Sequence, residues 1–198
     1  MSELPLSAPR DLVQERSDAA RNRALLLQAA RELVNQRGAD AVTMDHIAAA
    51  AGVGKGTLFR RFGSRAGLMT VLLDEDERAS QQAFLFGPPP LGPDAPPLDR
   101  LVAFGRERIR FVHTHHELLS AANRDPHARH VGAAAVQRTH VRVLLASAHT
   151  TGDVDIQTDA LLALLDADYV EHQLTEGGHT QQSLGDAWAS LARKLCGR

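Results

Sequence analysis

Hydrophobic residues recur along most of the chain at the three- and four-residue spacing that places them on one face of a helix. The first such stripe lies within residues 17–37 and consists of Leu26, Ala29, Ala30, Leu33 and Val34. Later segments with a helical pattern are residues 64–86, 98–116, 117–123, 126–149, 155–175 and 180–195. The pattern therefore predicts an all-α protein.

Residues 43–65 are distinctive because they predict two short helices around a glycine turn. Thr43 has the hydroxyl side chain that caps a helix start, and Gly52 ends the first helix. In the second helix, Leu58 and Phe62 are four residues apart and face inward. Its outer face then consists of Lys55, Gly56, Thr57, Phe59, Arg60 and Arg61. This is the helix-turn-helix arrangement, whose second helix enters the major groove; the alternative is a plain surface hairpin with a basic face.

The residue types on this outer face suit contacts with DNA. Gly56 has no side chain, so the start of the second helix can approach phosphates and base edges closely. Lys55 can donate to guanine, and Thr57 can bond a base edge or touch a thymine methyl group. Thr43 and Arg65 lie at helix starts, where we expect them to contact phosphates.

The charge distribution supports a nucleic-acid partner at the N-terminal end of the chain only. The net charge is −2, but residues 16–65 hold nine Lys or Arg against four Asp or Glu, a net of +5 that leaves −7 elsewhere. A basic solvated face would also explain this distribution. With Cys196 as the single cysteine, and no apolar leader or membrane-spanning run, we expect a cytoplasmic protein that does not bind membranes.

The stretch also resembles a known family in detail. Thr43, Ile47-Ala48, Ala51-Gly52-Val53, Gly56-Thr57-Leu58-Phe59, Phe62 and Leu68 are similar to the N-terminal domain of the TetR family of bacterial transcriptional regulators. The resemblance extends from about Arg21 to Leu72. It implies that the second helix reads bases while Thr43, Phe59, Arg61 and Arg65 contact the DNA backbone. The sequence departs from the family at Gly54, where serine is common, at Phe59, where tyrosine is common, and at Ala66-Gly67, where an acidic residue is frequent.

The predicted organisation has three parts: a flexible arm over residues 1–16, a helix-turn-helix DNA-binding domain over 17–63, and a helical-bundle domain for ligand binding and dimerisation over 64–198. The helix of residues 64–86 would link the last two parts mechanically. Its acidic middle, residues 74–77, is expected to be solvated. Residues 87–97 contain six of the nine prolines and are expected to form a loop.

The resemblance further implies a homodimer, a near-palindromic operator in double-stranded DNA, and a small-molecule ligand that releases the protein as a repressor. The helices of residues 155–175 and 180–195 would pair with those of a second subunit, and their surplus apolar surface fits that role. The expected ligand cavity is lined by Phe104, Arg108, Phe111, His115, His140, Leu144 and Tyr169.

Nine of the ten histidines follow residue 110 and raise a metal hypothesis. His113 with His116, and His127 with His130, have a three-residue spacing that puts two imidazoles on one helix face. Histidines on polar faces more often meet water, so we expect neither a metal site nor a cofactor. Enzyme motifs are missing, and no catalytic residue is predicted. A metal-responsive regulator, or one that activates or acts without a ligand, remains the alternative.

Overall fold

The computed structural model describes residues 10–123 and 131–197, and the side chains of residues 20–119 and 133–197. The helices in these ranges are α1 (Arg10–Arg37), α2 (Met44–Ala50), α3 (Lys55–Phe62), α4 (Arg65–Phe86), α5 (Pro97–Asn123), α6 (Val131–Ser147), α7 (Val154–Ala163), α8 (Ala167–Thr175) and α9 (Gln181–Leu195). The described residues contain no strand, so the all-α prediction is confirmed. None of these helices is long and apolar enough to cross a bilayer.

The chain forms two compact units, residues 1–68 and 69–198, and the division falls inside α4. In the first unit, α1 begins at Arg10, earlier than Ser17, where the sequence pattern predicts its start. Residues 10–16, predicted as part of a flexible arm, are therefore helical; the rest of that arm, residues 1–9, lies outside the described residues. The predicted apolar stripe of α1 is buried at Leu26, Ala29, Ala30 and Leu33.

Helices α2 and α3 form the predicted helix-turn-helix. Ile47 and Ala48 of α2 and Leu58 of α3 are buried, and burial of these side chains from water holds the pair together. Gly52 adopts a φ of 65° in the turn, a left-handed conformation that favours glycine over residues with a side chain. Phe62, also predicted to face inward, is half-buried.

The second unit has its own hydrophobic core, built from α4 to α9: Phe84, Leu101, Phe104, Ile109, Val112, Val141, Leu144, Leu145, Leu161, Leu165, Val170, Trp188 and Ala192. Helix α5 passes without interruption through the predicted boundary at residues 116–117, because nothing in residues 117–123 is a proline or glycine that would end it. Helix α6 begins at Val131, and residues 126–130 of the predicted longer helix lie outside the described residues.

The single helix predicted over residues 155–175 is instead two helices, so that prediction is wrong. Helix α7 ends at Ala163, and Asp166 caps the start of α8 by accepting from the backbone N–H groups of Asp168 and Tyr169. Apolar residues continue through the break, which is why the hydrophobic pattern did not indicate it. The last helix is confirmed: Thr180 caps α9, which ends at Leu195.

The acidic stretch of α4 is not solvated throughout as predicted. Glu77 is only 6% exposed, and its two carboxylate oxygens accept from Arg108 of α5 at 2.8 and 3.0 Å. Gln137 of α6 also donates to Glu77, at 3.3 Å. A buried carboxylate needs such a partner, because burial removes the water that would otherwise stabilise its charge.

Close packing between α5 and α9 depends on one glycine. The indole of Trp188 lies against Gly105, where an added Cβ would be 2.0 Å from the ring. The indole Nε1 donates to the backbone carbonyl of Leu101 at 2.9 Å, so the buried ring has little freedom to move aside.

We expect Gly105→Ala to lower the free energy of unfolding by about 1–3 kcal/mol, because overpacking forces the indole or the helices apart. Urea denaturation measures this change. Ser190→Ala, at an exposed position of α9, is the control and should change stability little. Equal stability of Gly105→Ala and the parent chain would contradict this account of the α5–α9 contact.

Candidate nucleic-acid interface and internal cavity

The start of α3 leaves backbone donors available to a partner. Gly54 is the N-cap residue and offers no side-chain acceptor to the helix, while its carbonyl accepts from Thr57 N–H at 2.9 Å and Leu58 N–H at 3.3 Å. The first N–H groups of a helix have no intrahelical acceptor, and here no capping side chain covers them. Together with the positive end of the helix dipole, they favour an anion such as phosphate.

The predicted outer face of α3 is largely exposed, and its members are Lys55, Gly56, Phe59, Arg60 and Arg61, with Thr57 half-buried beside them. Phe59 is a large hydrophobic residue that remains 40% exposed. Position 56 is open: a Cβ built there meets no atom of the chain within 4 Å. Glycine at this position is therefore not required by packing within the described part of the chain.

Lys55 has a carboxylate partner that the sequence did not reveal. Its Nζ lies 2.6 Å from Oδ1 and 2.9 Å from Oδ2 of Asp45 in α2, and 5.9 Å from the centre of the Phe59 ring. Both side chains of the ion pair are more than half exposed. Such a pair contributes little to stability, so Lys55 can exchange Asp45 for another anion at small cost.

Thr43 is the N-cap residue of α2, as predicted. Its hydroxyl oxygen accepts from the backbone N–H of His46 at 3.2 Å, and His46 Nδ1 accepts from the backbone N–H of Thr43 at 3.4 Å. Sequence reasoning missed the role of His46 in this reciprocal cap. Because the Thr43 hydroxyl acts as an acceptor here, its own proton remains available to donate to a phosphate.

Arg65, the first residue of α4, braces the loop between α1 and α2. Its Nε donates to the carbonyl of Val42 at 2.8 Å, and its Nη2 donates to the carbonyl of Ala39 and lies 3.5 Å from Asp40. The side chain is 29% exposed. Arg65 thus has a structural role in addition to the predicted phosphate contact, and its remaining guanidinium N–H groups are the ones left for that contact.

The residues predicted to line one ligand cavity do not all line the same cavity. Phe104 and Leu144 belong to the core of the second unit. Arg108 lies over the Phe111 ring, 4.2 Å from its centre, and Phe111 stacks on His115 at 4.1 Å. His115 Nε2 is in turn 3.1 Å from Asp76 of α4.

The remaining two residues line two different cavities. Tyr169 lines a cavity of about 200 Å³, together with Ile109, Leu164, Leu184, Ala187, Trp188 and Leu191. His140 lines a larger one of about 410 Å³, together with Leu85, Arg100, Ala135, Val136, Thr139 and Val143. Sequence reasoning missed Arg100, although it lies four residues before Phe104 and so on the same side of α5.

His140 is buried between aromatic rings, with its centroid 4.5 Å from that of Phe84 and 5.2 Å from that of Phe104. Burial lowers the pKa of His140 to about 4, and the nearby charge of Arg100 acts in the same direction. The imidazole is therefore neutral at pH 7. Its Nε2 and the Nε of Arg100 are both buried without a hydrogen-bond partner among the described residues.

His113 and His116, one of the two histidine pairs of the metal hypothesis, have carboxylates beside them. His113 Nδ1 lies 3.2 Å from Glu171, and His116 Nε2 lies 3.9 Å from Asp168. Within the described residues, no three His, Cys, Asp or Glu side chains are grouped as a metal site requires. His127 and His130 lie outside the described residues.

Comparison with known proteins assigns the first unit. Residues 26–72 match the family model described as bacterial regulatory proteins, tetR family. This segment of the chain is therefore of the TetR type. All eight predicted DNA-contacting residues lie inside the matched segment, whereas the residues that line the two cavities lie after it. The match supports a DNA-binding role for this segment.

Solved structures agree with the fold along most of the chain. A TetR-like transcriptional regulator from Rhodococcus sp. RHA1 is 23% identical, with a TM-score of 0.58 over 89% of this chain and 97% of that one. PfmR from Thermus thermophilus is 19% identical, with a TM-score of 0.57 over 86% of this chain and 97% of that one. The fatty acid degradation regulator FadR from Bacillus halodurans is 14% identical, with a TM-score of 0.59 over 86% of this chain and 97% of that one. None of the curated proteins compared with the chain matches it.

Gly56→Ala separates packing from DNA recognition at the start of α3. We expect the free energy of unfolding to rise by about 0.5–1 kcal/mol, because alanine favours a helix more than glycine does and the added methyl group meets no neighbour. DNA affinity should fall, because the same methyl group projects from the face that approaches DNA. Denaturation and fluorescence anisotropy with labelled DNA measure the two effects; unchanged affinity would contradict the proposed face.

Asp45→Asn tests the ion pair at the start of α3. We expect DNA affinity to rise a few-fold at low salt, because Lys55 loses a competing anion and the surface loses a negative charge near the phosphates. The matched control is Asp186→Asn, which breaks the exposed Arg106–Asp186 pair in the second unit. A gain of the same size in the control would show that only net charge matters.

Proposed function

We propose that this chain is a TetR-family regulator, a homodimeric repressor that binds a near-palindromic operator and leaves it when a small molecule binds the second unit. The DNA-binding part rests on one observation, the exposed basic face of α3 with its open Gly56. Lys55 and Thr57 would contact bases, while Thr43, Phe59, Arg60, Arg61 and Arg65 would contact phosphates and sugars. As a DNA-binding regulator, the protein would act in the cytoplasm.

Dimerisation through the C-terminal helices is supported by the apolar residues that they leave exposed. Ile156 of α7 is 68% exposed and Tyr169 of α8 is 41% exposed. Leu184 and Leu191 of α9 are half-buried and border the smaller cavity. Exposed apolar surface of this kind is typical of a protein–protein interface, and a second copy of α8 and α9 would cover it in a four-helix bundle.

Ligand release is supported by the larger cavity and by the helix that borders it. At about 410 Å³ the cavity is within the range of sites for small organic molecules. Helix α4 contains both Leu85, which lines the cavity, and Arg65, which braces the loop before α2. A ligand that prefers one position of α4 would change the placement of the helix-turn-helix and thereby lower DNA affinity.

The division of labour proposed here follows the predicted domains. Residues 17–63 bind DNA, and residues 64–198 bind the ligand and the second subunit. Coupling between the two functions needs only about 1–3 kcal/mol of difference in ligand affinity between the DNA-bound and free states to release DNA measurably.

Selection of DNA from a random library, using the full-length protein, tests the proposal. We expect enriched sequences with two inverted half-sites, about 34–36 Å apart or a multiple of this spacing, because a two-fold symmetric dimer binds a two-fold symmetric site. Small molecules are then titrated against the protein with and without the selected operator, and an effective ligand should bind the free protein more tightly.

The outcomes distinguish the parts of the proposal. Enriched sequences without dyad symmetry, together with a monomer in sedimentation, would contradict the dimer. A ligand that binds equally well with and without operator would contradict the switch, because equal affinity for two states cannot shift their populations. Loss of enrichment in Lys55→Ala, with Asp186→Asn as the unaffected control, would support the assigned reading helix.

A further inference from the structure

The larger cavity is lined by both apolar and polar side chains. Leu85 of α4 and Ala135, Val136 and Val143 of α6 provide apolar surface, while Arg100 and His140 provide nitrogen atoms. Most ligand sites combine these features, since apolar contacts supply affinity and a few polar groups fix orientation. A matching ligand has an apolar body and one polar group.

Two buried nitrogen atoms of the lining residues, one in His140 and one in Arg100, lack hydrogen-bond partners within the described part of the chain. His140 is 6% exposed, and its Nε2 makes no hydrogen bond with any described residue. The Nε of Arg100, an obligatory donor, is likewise buried and unbonded within the described part of the chain. Buried donors without acceptors cost free energy, so a ligand acceptor that reaches both would recover it.

Among the residues that line the cavity, Arg100 carries the single charge, which is positive. Arg100 donates from Nη2 to the neutral carbonyl of Phe84 at 3.3 Å, and no carboxylate of the described residues pairs with it. Arg100 and His140 line the same cavity, and the charge of Arg100 contributes to the lowered pKa of His140. Because the imidazole is neutral at pH 7, a complementary ligand carries one negative charge.

We infer that this cavity binds an amphipathic monoanion, a small molecule with one carboxylate and an apolar body, and that Arg100 and His140 hold the carboxylate. The inference rests on the proposed function, since it names the class of ligand for the same switch. The carboxylate has two oxygens, of which one accepts from Arg100 Nε and the other from His140 Nε2 in its protonated tautomer. The apolar body lies along the side chains of α6.

Direct binding to the full-length protein without DNA tests this. The probes are decanoate and 2-naphthoate, each compared with its uncharged amide, decanamide and 2-naphthamide, by isothermal titration calorimetry at pH 7. We expect at least one carboxylate to bind at least about tenfold more tightly than its amide, because hydrogen bonds to a charged acceptor are the stronger ones. Two carboxylates that bind no better than their amides would overturn the inference.

Substitutions test which residues cause the preference for the carboxylate over the amide. Arg100→Gln should remove the preference for the carboxylate while leaving amide binding in place, and circular dichroism confirms that its helices are intact. His140→Phe, which keeps an aromatic ring beside Phe84 and Phe104, should weaken carboxylate binding several-fold. Arg110→Gln, at an exposed position of the same helix, is the matched control and should keep the preference. Survival of the preference in Arg100→Gln would overturn the inference.

Failure of this inference is distinguishable from failure of the proposed function. Release of operator DNA by an uncharged molecule, without carboxylate preference, would leave the ligand switch standing and overturn the monoanion assignment. Carboxylate binding that requires Arg100 but has no effect on DNA affinity would support the assigned site and contradict the switch.

Discussion

The second unit depends on the buried ion pair between Glu77 and Arg108. Both side chains are almost fully removed from water, so each charge is stable only while the other is present. The pair joins α4 to α5, and the bond from Gln137 adds α6. Since hydrogen bonds are directional, this contact fixes the rotation of the three helices about their axes. The same three helices line the larger cavity, whose shape therefore depends on a charge pair some distance along α4 and α5 from it.

The fold was predictable where local rules decide it. Thr43 and Thr180 cap helices as their side chains suggest, and Gly52 turns the chain because a left-handed φ favours glycine. Local rules failed where tertiary packing decides. The apolar run through Leu164 and Leu165 hides the break between α7 and α8, since both sides of the break bury hydrophobic residues.

Glu77 shows that a buried charge can be found by its position. It lies within the stripe of Leu73, Glu77, Ser80 and Phe84, all of which are buried, at the spacing of one helix face. A charge on an apolar stripe predicts a partner of opposite sign on a neighbouring helix, and Arg108 lies on such a stripe between Phe104 and Phe111. From composition alone, Glu77 was expected to face solvent, because acidic residues usually face water.

The candidate interface was predictable in its residues but not in their contacts. Exposure of the α3 face follows from the inward position of Leu58, whereas the Lys55–Asp45 pair and the bonds of Arg65 join residues far apart in sequence. The predicted ligand set includes His140, which lines the larger cavity, but it does not include Arg100, whose burial depends on α4 and α6.

Trp188 is the only tryptophan of the chain, and it is 3% exposed against Gly105. Intrinsic fluorescence excited at the indole band therefore reports on the contact between α5 and α9 alone. A thermal melt followed by this signal records the unfolding of the second unit and does not report on the helix-turn-helix. Because the indole also borders the smaller cavity, the same emission is a built-in optical probe of whatever covers that surface.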